Sequence, residues 1–407
     1  MNILLINHYA GSPELGMEFR PYYLAREWVK KGHRVDIIAA TYSHLRNSNP
    51  KIRYDFEEEV TDGIHYHWIK TGQYEGNGVK RAITMAQFVI KLWLNAKKIV
   101  QKFKPDVIIT SSTYPLDTFV GQKIRKVSKK KIKLIHEVHD MWPATLYEIG
   151  GMSKRHPFVQ VMQIGENSAY KHSDRVVSLL PNAEKYMRKH GLKKGKFICI
   201  PNGIVEEEWT NPEALTDQHA DVLQKMKNEG DFIVGYFGGH ALSNALDILI
   251  DTAKIADDEK IKFVLVGNGV EKPRLMKRVL DEKIKNIVFL PPVPKLQIAS
   301  LCEYFDCIFY CGNPSPLYRF GVCLNKMFDS MRAGKPNLCA LPIKHCYIDE
   351  YECGVCVAPK TDAIIKGIKT IQNMDEDERE KMGRNGQEAA LKYFNYRALS
   401  EKFLSIM

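Results

Sequence analysis

The chain opens on an apolar run, Asn2–Asn7, of the kind found in a parallel strand buried on both faces. After a loop at His8–Gly16, Phe19, Tyr22, Tyr23, Arg26 and Val29 recur at helical spacing. Gly32 follows as a C-terminal cap, and Val35–Ala39 reads as the next strand. The same order repeats through strands expected at Ile64–Ile69, Val107–Thr110, Lys133–His136, Arg175–Leu180 and Phe197–Ile200, with amphipathic helices between most of them. Such alternation predicts a parallel sheet covered by helices on both faces.

The pattern breaks at the turn Pro201-Asn202-Gly203, and Glu206–Asp231 is polar, acidic and poor in strand formers, which reads as a linker. A second series follows at Phe232–Phe237, Lys262–Val266, Ile287–Leu290, Phe305–Tyr310, Pro336–Ala340 and Gly354–Val357. The expected architecture is α/β: two Rossmann-like, doubly wound parallel-sheet domains, 1–205 and 231–389, joined through 206–230. Each would offer a crevice at the carboxyl ends of its strands, and a cleft between them would take two substrates. From Asp375 to Met407 the chain reads as helical, with Phe394, Leu399, Phe403 and Leu404 as the apolar face of the last segment.

Composition narrows the class. A 407-residue chain, 44% hydrophobic and 26% charged, is a folded globular protein of two domains. It has no run of 18 apolar residues and no signal peptide at its start, so a cytoplasmic location is expected. The net charge of +11 is uneven: residues 1–200 hold 33 Lys and Arg against 18 Asp and Glu, whereas residues 201–407 hold 26 against 30. The first half therefore suits an anionic partner. Lysines and a tryptophan on a long amphipathic helix expected over Arg81–Lys104, with six basic residues in Arg125–Lys133, point to an anionic membrane surface, though a core-facing stripe with solvated lysines fits equally. No nucleic-acid motif accompanies them. Most of the nine cysteines (Cys199, Cys302, Cys307, Cys311, Cys323 and Cys339) read as small buried hydrophobes; Cys353-x-x-Cys356 lacks a second pair at zinc-finger spacing, so no metal is expected.

Several loops carry candidate chemistry. The first, ending at Gly16 with Glu18 and Arg20 just beyond, is placed to receive a phosphate or other anion at a helix start, or is an ordinary strand–helix connection. It is not G-x-G-x-x-G, which disfavours a nicotinamide enzyme. Gly238-Gly239 and Gly267-Asn268-Gly269 end two neighbouring strands of the second series and suit a nucleotide platform; Lys272 lacks a Walker A context. In the stretch Leu317–Pro336, Asn325 and Lys326 share a helix face with Asp329. The lysine suits a diphosphate and the carboxylate a ribose, or the two form a plain surface ion pair. His136-Glu137-Val138-His139-Asp140 closes a strand of the first series; Asp140 or His139 could accept a proton from an attacking hydroxyl, and buried, hydrogen-bonded histidines are the alternative. Asp375-Glu376-Asp377 resembles a metal–nucleotide D-x-D but opens a helix, where acidic residues complement the dipole.

Taken in order, these stretches resemble the bacterial group 1 (family 4) glycosyltransferases, retaining enzymes of the GT-B fold. The resemblance rests on the opening strand and its Gly16 loop, Lys31-Gly32-His33-Arg34-Val35, His139-Asp140-Met141-Trp142-Pro143, Pro201-Asn202-Gly203, Tyr236-Phe237-Gly238-Gly239, Leu265–Gly269 and Asn325–Pro336. The motifs at His139–Pro143 and Asn325–Pro336 are most similar to transferases of capsule and O-antigen assembly, including ones that use acetamido-deoxy sugars. It implies a UDP-sugar donor on the second domain, with Asp329 on the ribose and Lys326 and the Gly238-Gly239 loop, beside Gly269 and Asn325, on the diphosphate. The family's first glutamate falls at Gly321, and its usual Arg and Lys are replaced by His240–Asn244, leaving Arg319 and Lys326 as the cationic substitutes. The resemblance also implies a C-terminal helix, 390–407, returning to the first domain. A lipid-linked or oligosaccharide acceptor, peripheral attachment to the inner membrane face, and no cofactor or metal are implied too. A sugar-nucleotide epimerase and a non-catalytic membrane scaffold of the same fold are the rival readings.

Overall fold

A computed structural model of the chain describes every residue except 17–18, 77, 257–259 and 344–345. It divides into two compact units, Met1–Pro201 with Tyr396–Met407, and Asn202–Asn395.

The first unit is built on strands β1 (Asn2–Ile6), β2 (Arg34–Ala40), β3 (Glu57–Thr61), β4 (Ile64–Ile69), β5 (Val107–Thr110), β6 (Lys133–Val138), β7 (Arg175–Ser178) and β8 (Phe197–Cys199). Their order in the sheet is β3-β4-β2-β1-β5-β6-β7-β8. All neighbours pair parallel except β3, which runs antiparallel to β4. The apolar runs are buried because helices cover both faces: Leu4 and Ile6 pack with Ile38, Ile108 and Phe88 on one of them. β3 was not expected; its Glu57-Glu58-Glu59 run hides a strand whose side chains stay largely in water, as an edge position allows.

The basic helix expected over Arg81–Lys104 is two helices, Val79–Leu94 and Ala96–Phe103, with Asn95 between them. The apolar positions also separate: Phe88, Leu92, Ala96 and Ile99 enter the core, while Ile83, Ile90, Trp93 and Leu94 stay exposed.

The second unit is a parallel sheet of β9 (Phe232–Phe237), β10 (Ile261–Val266), β11 (Ile287–Leu290), β12 (Cys307–Cys311), β13 (Asn337–Ala340) and β14 (Gly354–Cys356), in the order β11-β10-β9-β12-β13-β14. The order reverses between β9 and β12, the kind of switch point where open α/β sheets bind ligands. The stretch read as a linker carries two helices, Glu207–Thr210 and Asp217–Asn228, and the second buries Leu223 and Met226 against Ile233 and Val264. Its polar composition is that of a helix with one narrow buried stripe, which looks like a linker when only strand formers are counted. Asp375 caps the helix Glu376–Tyr393 reciprocally with Glu378, so the acidic triplet is a capping box.

The last helix, Tyr396–Leu404, returns to the first unit. Phe403 packs against the Trp28 ring at 5.3 Å, and the Trp28 indole donates to the Ser400 carbonyl at 3.3 Å. Both aromatic side chains are fully buried. Phe403→Ala should therefore remove about 3–5 kcal/mol from the first unit. Denaturant unfolding, followed by Trp28 fluorescence in variants carrying that tryptophan alone, checks this; an unchanged midpoint would mean that the helix is not part of the unit's core.

Candidate functional site

Parallel strands end at one edge, and at that edge of the second unit lies a cavity of about 390 Å³. It is lined by the Gly238-Gly239 turn after β9, Gly267-Asn268 after β10, Lys295, and Lys326 and Asp329 from the helix Asn325–Arg332. The two glycine turns touch. A Cβ on Gly267, whose φ is +146°, would lie 2.0 Å from the Gly238 carbonyl oxygen, so a side chain there has nowhere to go. The His240 amide donates to the Asn268 carbonyl at 2.8 Å, and Lys272 donates to the carbonyls of Gly267 and Leu290 at 2.7 and 2.8 Å. Lys272 thus ties strand ends together rather than facing a ligand. The Gly239 carbonyl accepts from the Tyr236 hydroxyl at 2.7 Å and from Asn244 at 2.8 Å, which holds the exposed turn in place.

Lys326 sits over this turn. Its ammonium donates to the Tyr236 hydroxyl at 3.0 Å and to Asn244 Oδ1 at 2.8 Å, and lies 4.6 Å from the Tyr236 ring centre. Both partners are neutral, and among the described residues no carboxylate lies within ion-pair distance of it. Burial pulls its pKa down to about 8, with the nearby Cys311 opposing only slightly. A lysine in this position gains most from an anion brought in by a ligand. Asp329 is arranged differently: both its oxygens accept from Lys295 Nζ, at 3.1 and 2.9 Å. Burial lowers the pKa of Lys295, but the charges of Asp329 and Glu208 outweigh it and hold the ammonium above its ordinary value. His240, in place of a cationic residue, is fully buried, and neither ring nitrogen has a partner among the described residues. Burial, then Lys272, lowers its pKa to about 4, so the ring is neutral at pH 7.

In the first unit a buried polar network lies where β5 and β6 end. Arg20 donates to Glu137 Oε1 through Nε at 3.1 Å and Nη2 at 2.9 Å, and to the carbonyl of Ile200 at 2.8 Å. The other oxygen of Glu137 accepts from Ser111 Oγ at 2.6 Å and lies 3.0 Å from His139 Nε2. Burial alone would raise the Glu137 pKa; Arg20, then His139 and Ser111, reverse this and hold the carboxyl well below the usual carboxylate range. Asp140 is engaged locally: Oδ1 accepts from the Met141 amide and the Thr145 hydroxyl, each at 2.8 Å, and Oδ2 from the Trp142 indole at 3.2 Å. The Trp142–Pro143 bond in the same turn is cis.

Two family models match consecutive stretches of the chain: glycosyltransferase family 4 over residues 16–208, and glycosyl transferases group 1 over residues 217–389. The chain belongs to the group 1 glycosyltransferases. It is similar in fold to sucrose-phosphate synthase from Thermosynechococcus elongatus, at 18% identity, TM-score 0.72, with 99% of this chain and 97% of that one covered. It is also similar to Anabaena HepE in complex with UDP and glucose (16% identity, TM-score 0.65, 100% and 98% covered). A third likeness is to WaaG, a glycosyltransferase involved in lipopolysaccharide biosynthesis (11%, 0.64, 99% of each chain). No curated protein sequence matches the chain. The fold is therefore GT-B, and the protein is a transferase.

Among the residues singled out from the sequence of this glycosyltransferase, Gly238, Gly239, Lys326 and Asp329 line one cavity. Gly269 lies one residue past its lining, its φ of +158° forced because a Cβ would meet the His240 carbonyl at 2.3 Å. Asn325, at the helix start, accepts from the Asn202 side-chain amide at 2.8 Å. Arg319 is exposed on the short turn Pro316–Phe320, against the Phe320 ring at 4.2 Å, and is not part of the cavity lining. Arg20 is a correction: expected to face an incoming phosphate, it is 4% exposed and its guanidinium is spent on Glu137 and backbone carbonyls. Asp140 stands at the end of β6, its carboxylate organising the turn that follows through the Met141 amide and the Thr145 hydroxyl. Gly16 is buried beneath Asn47, and Glu18 lies outside the described residues. The residue missed was Lys295. It stands alone in Pro292–Leu296 after β11, and only the fold shows that this loop opens on the same edge as β9 and β10.

Lys326→Gln keeps a polar side chain, one atom shorter, but removes its charge. It should weaken UDP binding about 10- to 100-fold, the equivalent of about 1.5–3 kcal/mol for a charge-assisted hydrogen bond. Calorimetric titration with UDP checks this, and equal affinities would exclude the lysine from the diphosphate site.

Proposed function

We propose that the protein transfers a sugar from a UDP-sugar to a membrane-associated acceptor, a lipid-linked glycan or oligosaccharide, in the assembly of a surface polysaccharide. The observation that carries the donor half is Lys326: an ammonium drawn below its usual pKa, bonded among the described residues to neutral oxygens alone, over a glycine turn at the end of β9. A nucleoside diphosphate supplies the missing negative charge, and the departing UDP, which carries more charge than the bound sugar nucleotide, gains more from it. Asp329, with Lys295 beside it, supplies a carboxylate to the ribose. Two of the structures similar in fold support a UDP-type donor: HepE has been described with UDP-glucose, and a trehalose-6-phosphate enzyme of E. coli with UDP-2-fluoro glucose. An N-acetylated amino or deoxyamino sugar rests on the motif likeness at His139–Pro143 and Asn325–Pro336, and retention at the anomeric carbon on the resemblance to the family as a whole.

The membrane half rests on the helix Val79–Leu94. No described helix is long and apolar enough to cross a membrane. Yet this one is apolar on both sides: Phe88 and Leu92 face the core, while Val79, Ile83, Ile90 and Leu94 recur at helical spacing on the outer face, 77%, 50%, 56% and 70% exposed. Trp93 lies beside them with Lys123 Nζ 4.3 Å from its ring, and Lys97 and Lys98 follow in the next helix. An apolar stripe flanked by lysines and a tryptophan has the composition of an element lying in an anionic lipid interface.

The test is incubation of the purified protein with UDP-, GDP- and dTDP-sugars, with and without a membrane lipid extract, following nucleotide release and products. Release confined to one UDP-sugar and increased by lipid is the expected outcome. An isomerised sugar nucleotide with no transfer product would make it an epimerase, and no binding of any nucleotide would leave a scaffold. Sedimentation with anionic vesicles should fall at least tenfold in an Ile90→Ser, Leu94→Ser double variant, from the loss of about 1.5–3 kcal/mol per large apolar side chain inserted. Unchanged sedimentation would remove the membrane half of the proposal.

A further inference from the structure

The second unit contains a group of side chains that lies outside the lining of the candidate cavity. Cys339 on β13 and Cys356 on β14 are direct partners in the parallel register, so their side chains project from neighbouring strands on the same face of the sheet. Cys346 reaches the same point from the crossover between those strands, where it precedes the helix Tyr347–Glu350. The three sulfurs lie within 4.8 Å of one another, and Cys346 Sγ is 3.1 Å from Cys356 Sγ. Cys353, the other half of the C-x-x-C, turns away and contacts the Ile348 carbonyl at 3.7 Å. The trio is thus not the C-x-x-C, which sequence spacing had set aside.

The surroundings are apolar. Cys339 and Cys346 share a core cluster with Phe328, Met331 and Leu341. One polar atom stands out against them. Tyr310, on β12, is the register partner of Cys339, so Tyr310, Cys339 and Cys356 form a row across three adjacent strands. Its side chain is fully buried, and its hydroxyl has no hydrogen-bond partner among the described residues. A buried donor without an acceptor is costly, and thiols are poor acceptors, whereas a thiolate is a good one.

We propose that Cys339, Cys346 and Cys356 form a binding site for one thiophilic divalent cation, zinc, with the Tyr310 hydroxyl donating to a ligating sulfur. Zinc–sulfur bonds of about 2.3 Å in tetrahedral geometry set sulfurs about 3.8 Å apart, a spacing that falls between the closest contact and the outer limit of this trio. Binding is balanced as follows: three thiols release three protons to solvent, and the three sulfur–zinc bonds replace bonds from the hydrated ion to water, which is released. The site is separate from the donor cavity. It pins the β13–β14 crossover to the sheet, and that crossover packs through Tyr347 and Ile348 in the same cluster as Met327 and Phe328, on the helix that carries Lys326 and Asp329. The cation would thus be structural, stabilising the second unit by binding its folded form alone.

The test uses the full chain, purified under reducing conditions and equilibrated with zinc alone, with bound metal measured by mass spectrometry after gel filtration. The expected result is about one zinc per chain, three thiols protected from a thiol reagent, a raised thermal midpoint, and thiolate-to-metal charge-transfer absorption when cobalt replaces zinc. Cys346→Ser and Cys356→Ser should each abolish stoichiometric binding, whereas Cys199→Ser, in the first unit, should retain it. Folded, reduced wild-type protein that holds no zinc would overturn the proposal without reference to any variant. So would zinc retained in both site variants, or a Cys346–Cys356 disulfide formed in place of metal binding.

Discussion

An ammonium group half-buried against neutral oxygens must be compensated, and the donor side proposed for this transferase is organised around that requirement. Lys326 is held over the Gly238-Gly239 turn by Tyr236 and Asn244, which fix its position without neutralising it. The carboxylate nearest in sequence, Asp329, is one turn along the same helix and is already paired with Lys295. Among the described residues Lys326 therefore has no carboxylate partner, while Lys295 and Asp329 satisfy each other. Had Asp329 been paired with Lys326, the helix would carry an ordinary surface ion pair with little to offer a diphosphate.

Backbone geometry makes this possible. The turns after β9 and β10 approach so closely that Gly267 and Gly269 tolerate no Cβ, and the approach brings the ends of two neighbouring strands around one cavity. The sequence showed the glycines, the lysine and the aspartate as separate weak signals. Most strand positions in both units were also legible, because strands buried on both faces leave continuous apolar runs. What could not be read was anything set by neighbours distant in the chain. Lys295 belongs to the cavity only because β11 lies beside β10. β3 escaped notice because an edge strand facing water needs no apolar side chains.

The first unit shows the same limit from the other side. The cluster His136–Asp140 was conspicuous as chemistry, and burying charged groups does demand a reason. The reason supplied is a network in which Arg20, from the first helix, neutralises Glu137, which in turn orients His139. Arg20 and Glu137 are far apart in sequence, so no local pattern announced their pairing. Removing either partner would strand a buried charge, an effect larger than the pair's own contribution. The three thiols of the second unit repeat the lesson: the C-x-x-C was dismissed for want of a second pair, and only the parallel register of β13 and β14 brings Cys339 beside Cys356.

The central claim, that Lys326 awaits the donor diphosphate, is tested most directly by calorimetric titration with UDP in buffers of different ionisation enthalpy. With the free lysine at a pKa of about 8, a bound diphosphate should raise that value and draw in about half a proton per site at pH 8. Uptake should shrink at lower pH, where the ammonium is already formed, and should be absent in Lys326→Gln. Uptake of that size that persists unchanged in the variant, or none in the wild type, would contradict the account.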